Sequence, residues 1–499
     1  MKNLPFIDLQ AIAHQAMGNY GFYSDFPNSV LREIHKLDGK AEFDQDPPLK
    51  DLRHLLWSSI DNIDSKDLDQ LEFCERTSNQ EIRVLVAIAD VDVYVPKSSS
   101  TDRHAAHNGT SVYTGVEIFP MLPERLSADL SSLIEGQDRM AIVIEFFVLK
   151  DGSVRSDNVF RAVVHNKAKL VYEPLGEWLE SLNNESRLSG QGSMPEAVEK
   201  IPGLKEQIIL QNEAAQKLHD YRMEKGALEL ETIEASTIVK DGEVVDLVLK
   251  KKNPARYIIE NFMIAANGTM VKFLEKKGSP YIQRVVRTPE RWERIRQVVQ
   301  NLGKDLPPYP DSQALSDFLA QERQAAPAIF PDLSLTIVKL LGPGEYVFTE
   351  LGKGKIGHFG LAVQDYTHST APNRRYVDLV IQRLLKAVLY NQPAPYTKTE
   401  LNDIAQWCTD RDQASKKVER FMRKVAGAML LRERLGETFD AIVTGASEKG
   451  IYVRLEAPPV EGRVVRGERG MDIGEKVRVR LMRLEIEKGY IDFEGLKPR

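Results

Sequence analysis

The stretch SSIDNIDSKDLDQ, residues 58–70, constrains this chain more than any other. It places Asp61, Asp64, Asp67 and Asp69 within nine consecutive positions. Carboxylates held this close repel one another and raise each other's pKa values, so a neutralising partner is expected. An all-oxygen donor set suits magnesium, or manganese, and not zinc or copper. The alternative is a solvated acidic turn. The setting counts against it, because Leu55, Leu56 and Trp57 precede the stretch and the strand-like run IRVLVAIADVDVYV soon follows. The aspartates therefore sit between core elements.

The 499 residues carry 67 basic and 73 acidic side chains, a net charge of −6 that by itself excludes nothing. Its distribution is more telling. Residues 1–100 hold 10 basic and 17 acidic residues, whereas residues 370–435 hold 13 basic and 7 acidic. An acidic cluster in one region and a basic stretch in another fit a metal site combined with a path for a polyanion. The only cysteines, Cys74 and Cys408, lie 334 positions apart. That argues against a disulfide framework or a cysteine zinc site and for a reducing, cytoplasmic setting. The N-terminus lacks the apolar core of a signal peptide, and no run of 18 apolar residues occurs, so no membrane association is expected.

Taken in order, residues 1–54 read as a short leader, helical around Ser29 to Leu37, and an acidic, proline-bearing linker. Between about 55 and 170 strand signals dominate. IRVLVAIADVDVYV, VEIFPMLP and AIVIEFFVLKDGSVRSDNVFRAVV suggest a mixed, largely antiparallel sheet, the last with a Lys-Asp-Gly turn. Residues 183–203 read as a polar surface excursion. Helical periodicity follows, with a strand pair near TIEASTIVKDGEVVDLVL and a helix from about Ala255 to Leu274. KDLPPYPDSQ, residues 304–313, reads as a loop. From Gly436 onward, short alternating strands with Gly and Pro turns suit a five-stranded barrel of the OB type. The fold class is thus α+β, with a large domain over 55–435 and an all-β barrel over 436–499.

A second constellation is HSTAPNRRYVDLVIQRLLKAVL. Val377, Val380, Ile381, Leu384 and Val388 recur at helical spacing, with Thr370 and Pro372 marking the start. Arg374 and Arg375 then fall in the first turn, where the macrodipole disfavours cations unless an anion is bound there. Either the arginines converge on such an anion, or they pair with acidic side chains such as Asp378. Lys416, Lys417, Arg420, Arg423 and Lys424 of the next helix either line a nucleic-acid path or form a solvated face. GKGKIG, residues 352–357, matches a dinucleotide-binding pattern, but HFGLAVQDY after it reads as a strand and not a helix opening, so it is set aside. His104 and His107 are three apart and belong to a surface helix rather than a metal site.

With both constellations located, the chain resembles the RNB family, the ribonuclease II and ribonuclease R exoribonucleases. The resemblance runs from about residue 55 to the C-terminus. It rests on SIDNIDSKDLDQ, VAIADVDVYV, GTSVY, PMLPERLSADLSSL, IIENFMIAAN, GHFGLAVQDYTHSTAPNRRYVDLVIQRLL and the terminal barrel. It implies an RNB catalytic domain and a C-terminal OB-fold domain, in a monomer that hydrolyses single-stranded RNA from 3′ to 5′ and releases 5′-mononucleotides. It implies magnesium, or manganese, held by Asp61, Asp67 and Asp69 with Gln70, and catalysis by Asp69, Asp67, Arg374 and Arg375. Tyr113 is implied to stack on the RNA near its 3′ end, and Glu419 to lie by the terminal nucleotide.

Three departures stand out. Gln70 occupies the place of the family's last aspartate, which removes a formal charge and leaves a weakly active or inactive RNA-binding protein as the alternative. The second stacking aromatic expected near Thr288–Pro289 has no equivalent. The paired cold-shock domains that precede the family's catalytic domain are missing.

Overall fold

The computed structural model describes residues 7–37, 49–183, 193–231, 234–240, 243–250, 252–327, 329–350, 356–447, 450–471 and 474–496. The aspartate stretch is framed by a sheet built from β1 (Lys50–Asp51), β2 (Trp57–Asp61), β3 (Gln70–Arg76) and β4 (Ile82–Ala89). The short hairpin β5 (Val112–Tyr113) and β6 (Ile118–Phe119) stands apart, and β7 (Asp138–Val148) and β8 (Val154–Val171) complete the sheet. Its order is β1-β8-β2-β3-β4-β7, and β7 also pairs with β8. The N-terminal part of the long β8 runs antiparallel to β7, and its C-terminal part runs parallel to β2, so the sheet curls back on itself. The sheet is therefore mixed and mainly antiparallel, as the strand patterns indicate.

Helices close around it. Those before and beside the sheet are α1 (Leu9–Asn19), α2 (Asn28–His35) and α3 (Ser100–Asn108). After it come α4 (Tyr172–Asn183), α5 (Glu196–Lys200) and α6 (Leu204–Glu224), then the antiparallel pair β9 (Glu234–Lys240) and β10 (Glu243–Lys250). Helix α7 (Pro254–Lys276) starts with Asn253 capping the Arg256 N–H and Pro254 at its first position, and buries Ile258, Phe262, Ala266 and Met270. Strands β11 (Tyr281–Val285) and β12 (Glu345–Thr349) pair around a small helical unit of α8 (Trp292–Asn301), α9 (Ser312–Ala325) and α10 (Phe330–Leu341), which has its own core. Last come α11 (Tyr376–Leu389) and the long α12 (Lys398–Leu430). The main core joins the sheet to α4, α6, α7 and α11.

The C-terminal strands β13 (Thr438–Ser447), β14 (Gly450–Leu455), β15 (Glu461–Arg466), β16 (Lys476–Glu485) and β17 (Tyr490–Leu496) form a closed five-stranded barrel in the order β13-β14-β15-β17-β16. Its core reaches α12 through Ala428 and Leu431.

One local expectation fails outright and another in part. Residues 358–366 do not form a strand: Phe359–Leu361 is a single 3-10 turn flanked by isolated bridges. The alternating apolar residues there find no partner strand to pair with. Most of GKGKIG lies outside the described residues, as does most of the linker before Lys50. Of the 183–203 excursion, residues 184–192 lie outside them, and the remainder is not a purely polar surface segment, because it holds α5, whose Val198 is buried in the main core. The leader holds α1, whose Leu9, Ile12, Ala13, Ala16 and Met17 pack on α12. Among the described residues, no helix is long and apolar enough to cross a membrane.

Candidate active site

Asp61 ends β2, and its Oδ1 accepts hydrogen bonds from the Asn62 N–H and the Ser65 hydroxyl, each at 2.7 Å, which folds the following loop back. Lys169 from β8 donates to the carbonyls of Ile63 and Ser65 and holds that loop down. Asp64 projects into solvent, so the crowding involves three aspartates and not four. Ser132 pins the next segment by donating to the Lys66 carbonyl and accepting from the Leu68 N–H. Asp69 is then buried immediately before β3.

The turn before α11 meets it. The Asn373 N–H donates to Asp69 Oδ1 at 3.2 Å, and Arg374 Nε stands 3.5 Å from Asp69 Oδ2. Ser131 in turn donates to the Asn373 side-chain oxygen at 2.6 Å. The Arg374 carbonyl accepts from the Ser111 N–H and the Thr110 hydroxyl, which ties this turn to the segment leading into β5. Gly109 makes that approach possible. It caps α3 at φ 68°, and a Cβ there would stand 2.9 Å from the Arg411 side chain. Two residues into β5's approach, Tyr113 is 39% exposed and its hydroxyl donates to Asp67. Its backbone N–H donates to the Glu419 carboxylate on α12. Four separate elements thus bring Asp67, Asp69, Arg374, Tyr113 and Glu419 into one recess.

Arg375 has a different position. It precedes the helix as the N-cap residue of α11, and its Nε and Nη2 donate to the two oxygens of Asp378 at 2.9 and 2.7 Å. The helix opens at Tyr376, so neither arginine lies in its first turn, contrary to the sequence expectation. Asp378 is fully buried and also accepts the Ala371 N–H, so the pair locks the turn that presents Arg374. Of the two arginines, Arg374 is the one with a side chain 43% open to solvent.

Burial pushes the Asp69 carboxyl up to about 7, reinforced by the charges of Asp67 and Asp378 and opposed by Arg374 and the Asn373 N–H. Burial also raises Asp67, with Asp61 adding to it and Arg374 and Tyr113 opposing. Glu419 is raised by burial, against its hydrogen bond from Tyr113 and the cations Arg423 and Lys416. Gln70 is buried at the start of β3 opposite Ile88. By strand alternation it shares its face with Glu72, a residue missed in the sequence because Leu71 and Phe73 mark the other face of β3 as the apolar one, whereas the structure buries both. Glu72 is buried, neither carboxylate oxygen has a hydrogen-bond partner, and burial with the nearby Asp61 charge holds its pKa well above the ordinary range.

The donors are all oxygen, and their mutual repulsion is the kind a hard divalent cation relieves. Among the described residues, no three Asp, Glu, His or Cys side chains stand at ligating separation, so the match is one of donor type and charge, not of a preformed cage. His104 and His107 take no part: His104 is buried against Phe26, and His107 stacks on Tyr23 at 3.7 Å. The Thr288–Pro289 segment carries no aromatic ring, although the Phe359 N–H donates to the neighbouring Val286 carbonyl.

Comparison with known proteins places this geometry. The RNB domain model matches residues 49–391, and the model of the RNase II-type exonuclease C-terminal S1 domain matches residues 437–495. The chain belongs to the RNB family. Its relatives include Ribonuclease R of Thermotoga maritima, 31% identical over 451 residues that cover 88% of this chain and 61% of that one. Another is Ribonuclease R of Aquifex aeolicus, 28% identical and covering 95% and 69% respectively. This chain therefore spans about two thirds of their length. Among solved structures, Mycoplasma genitalium RNase R in complex with ribose-methylated single-stranded RNA superposes with a TM-score of 0.85 at 23% identity, over 98% of this chain and 78% of that one. Yeast Ssd1, a pseudonuclease, shares the fold at a TM-score of 0.68 and 15% identity, over 95% and 58%. Fold alone therefore does not separate nuclease from pseudonuclease.

Proposed function

We propose that this chain is a magnesium-dependent, hydrolytic 3′-to-5′ exoribonuclease that takes single-stranded RNA and releases 5′-mononucleotides. The observation that carries the reading is Arg374 Nε at 3.5 Å from the buried Asp69 carboxylate, with the open ring of Tyr113 beside them. Family membership and relatives named Ribonuclease R support it.

Asp61, Asp67 and Asp69, with the Gln70 amide oxygen, would hold the cation, which manganese can replace. Bound there, it supplies Lewis-acid chemistry at the phosphate and at an attacking water. In the reaction, water oxygen bonds to phosphorus and the P–O3′ bond breaks, which frees a 5′-mononucleotide. The Arg374 guanidinium faces the negative charge that grows on the phosphate oxygens. Tyr113 stacks on a base near the 3′ end, a contact worth roughly 1–3 kcal/mol. Glu419 closes the end of the recess by the terminal nucleotide. Arg375 acts through Asp378 as a positioning residue.

The second reading is an RNA-binding protein with weak or absent turnover. Gln70, buried where the family pattern has a carboxylate, favours it. End-labelled single-stranded RNA with wild type and Asp69→Asn separates the two. Mononucleotide release by wild type that disappears in the variant is expected, whereas unchanged release by Asp69→Asn would sink the assignment. Tight binding without release by wild type would establish the second reading.

A further inference from the structure

Gln70 takes a carboxylate away from the place where the family pattern has one, yet β3 carries another carboxylate two residues on, at Glu72. Side chains of a strand alternate between its faces, so Glu72 stands on the face of Gln70, one pleat further along. Its backbone lies opposite Ser58 of β2 and Val86 of β4, in the middle of the sheet. A carboxylate there is costly unless something compensates it. Glu72 is fully buried, and neither of its oxygens has a hydrogen-bond partner among the described residues. The neighbouring charge that acts on it is itself negative, that of Asp61.

Two more polar atoms are orphaned around it. Ser58 Oγ and Gln211 Oε1 are buried without partners, and the Gln211 side-chain amide donates to the Glu72 carbonyl at 3.4 Å. Buried polar atoms that the protein itself leaves unsatisfied mark a place for ordered water or an ion. Tyr172, at the start of α4, relates this patch to the catalytic recess. Its phenol lies in the field of Asp61, Glu72, Arg256 and Arg374 together, so Glu72 shares a neighbour with two residues of the recess. Arg256 stands over that ring, 4.2 Å from its centroid, but its guanidinium donates to Glu173 and Asn62 and leaves Glu72 unneutralised.

Magnesium keeps several of its waters when a protein binds it, and the charge of the surrounding oxygens tunes its affinity. Groups behind the direct ligands hold the bound shell in place by hydrogen bonds. Among the described residues no three acids stand at ligating separation, so Glu72 fits this outer place and not that of a direct ligand. We infer that Glu72 supplies the carboxylate that position 70 does not: it is a positioning residue of the cation site, accepting hydrogen bonds from water on the cation and restoring the negative charge of the site. This role stands on the cation site of the proposed function. It makes Gln70 a compensated replacement, and not by itself a mark of lost activity.

Magnesium affinity tests it, measured by calorimetry on the whole chain without RNA for wild type, Glu72→Gln, Gln70→Asp and the Gln70→Asp/Glu72→Gln double variant. Glu72→Gln is expected to weaken binding by about 10- to 100-fold. The double variant is expected to recover wild-type affinity, because its new aspartate returns the missing charge on the same face of β3. In chelator, Glu72→Gln is expected to melt no lower than wild type, since the amide removes an unpaired buried acid, and magnesium is expected to raise its melting temperature less. Glu72→Leu, which suits the neighbouring Val86, takes its place in the cycle if the amide variant does not fold. Unchanged magnesium affinity in either folded variant overturns the role, as does a double variant that stays as weak as Glu72→Gln alone. Wild type that binds no magnesium overturns the cation site of the proposed function, and this role with it.

Discussion

Asp69 carries the sharpest electrostatic conflict in the recess. Buried beside Asp67, it holds its proton up to about pH 7 without a cation. A raised carboxyl contributes stability below its unfolded-state value, near 4, and that contribution is lost as pH rises through 7. Metal-free protein should therefore lose stability over that window, and magnesium should restore it. For the same reason the cation competes with a proton. Calorimetric magnesium titrations at pH 6 and pH 8 should show tighter binding at pH 8 and proton release at pH 6, and equal affinity at both would remove Asp69 from the ligand set.

The adjacent arginines separate by what they touch. Arg374→Ala removes the charge proposed to face the phosphate and should lower kcat by about 10²–10³ with an unchanged melting temperature. Arg375→Ala leaves the fully buried Asp378 unpaired and should cost about 3–5 kcal/mol of stability. Turnover and thermal melting of the two variants, run in parallel, check the division. The sequence shows both arginines and the candidate partner Asp378, but whether an i,i+3 pair closes depends on where the helix begins. The turn from Ala371 to Arg375 delays that start to Tyr376, four residues past Pro372, and no residue type in it announces the delay. The same holds for Asp64, whose exposure follows from the Asp61–Ser65 hydrogen bond and not from its spacing.

At the scale of elements, α11 is bolted to the sheet by buried charge. Lys386 lies 2.6 Å from Asp90 and 3.1 Å from Asp92, and Arg161 of β8 donates to Asp90 at 2.8 Å. Arg383 bridges Asp92 and Asp102 at 2.7 Å each, and Tyr376 donates to the same Asp102. The network fixes the helix that follows Arg374 against the end of β4, against β8 and against α3. Arg383→Ala leaves the buried Asp102 without its cation, while Asp92 keeps Lys386, and should lower stability by about 3–5 kcal/mol in urea unfolding. Loss of activity in that variant should track loss of folded protein. Periodicity makes these elements legible: β4, α7 and α11 carry apolar residues at strand or helix spacing throughout. It fails where pairing is decided at a distance. Phe359, Leu361 and Val363 alternate like a strand, yet His358 bridges only to Val286 and Val363. Helix α1 also shows its spacing, through Leu9, Ile12, Ala13 and Ala16, but its partner is α12, some 400 positions away.

Over the whole molecule, the barrel is seated on the long helix and on the α8–α10 unit. Gly427 of α12 lies so near the barrel that a Cβ would stand 2.9 Å from Val460, and Arg454 of the barrel reaches the buried Asp332 of α10 at 2.8 Å. Catalytic recess and barrel are thus held on one frame, with α12 contributing Glu419 to the first and Ala428 to the core of the second. The two-part organisation is visible in the change of pattern at Gly436, whereas the seating is not, because it depends on a glycine and a buried ion pair that have no periodic signature. Gln70 leaves the decisive matter to function. Purified wild type incubated with end-labelled single-stranded RNA, with magnesium and then with chelator, addresses it when products are read by length. Mononucleotides that accumulate from the 3′ end with magnesium and vanish with chelator are the expected result. RNA that stays bound and full-length under both conditions would show that this recess holds RNA without cutting it.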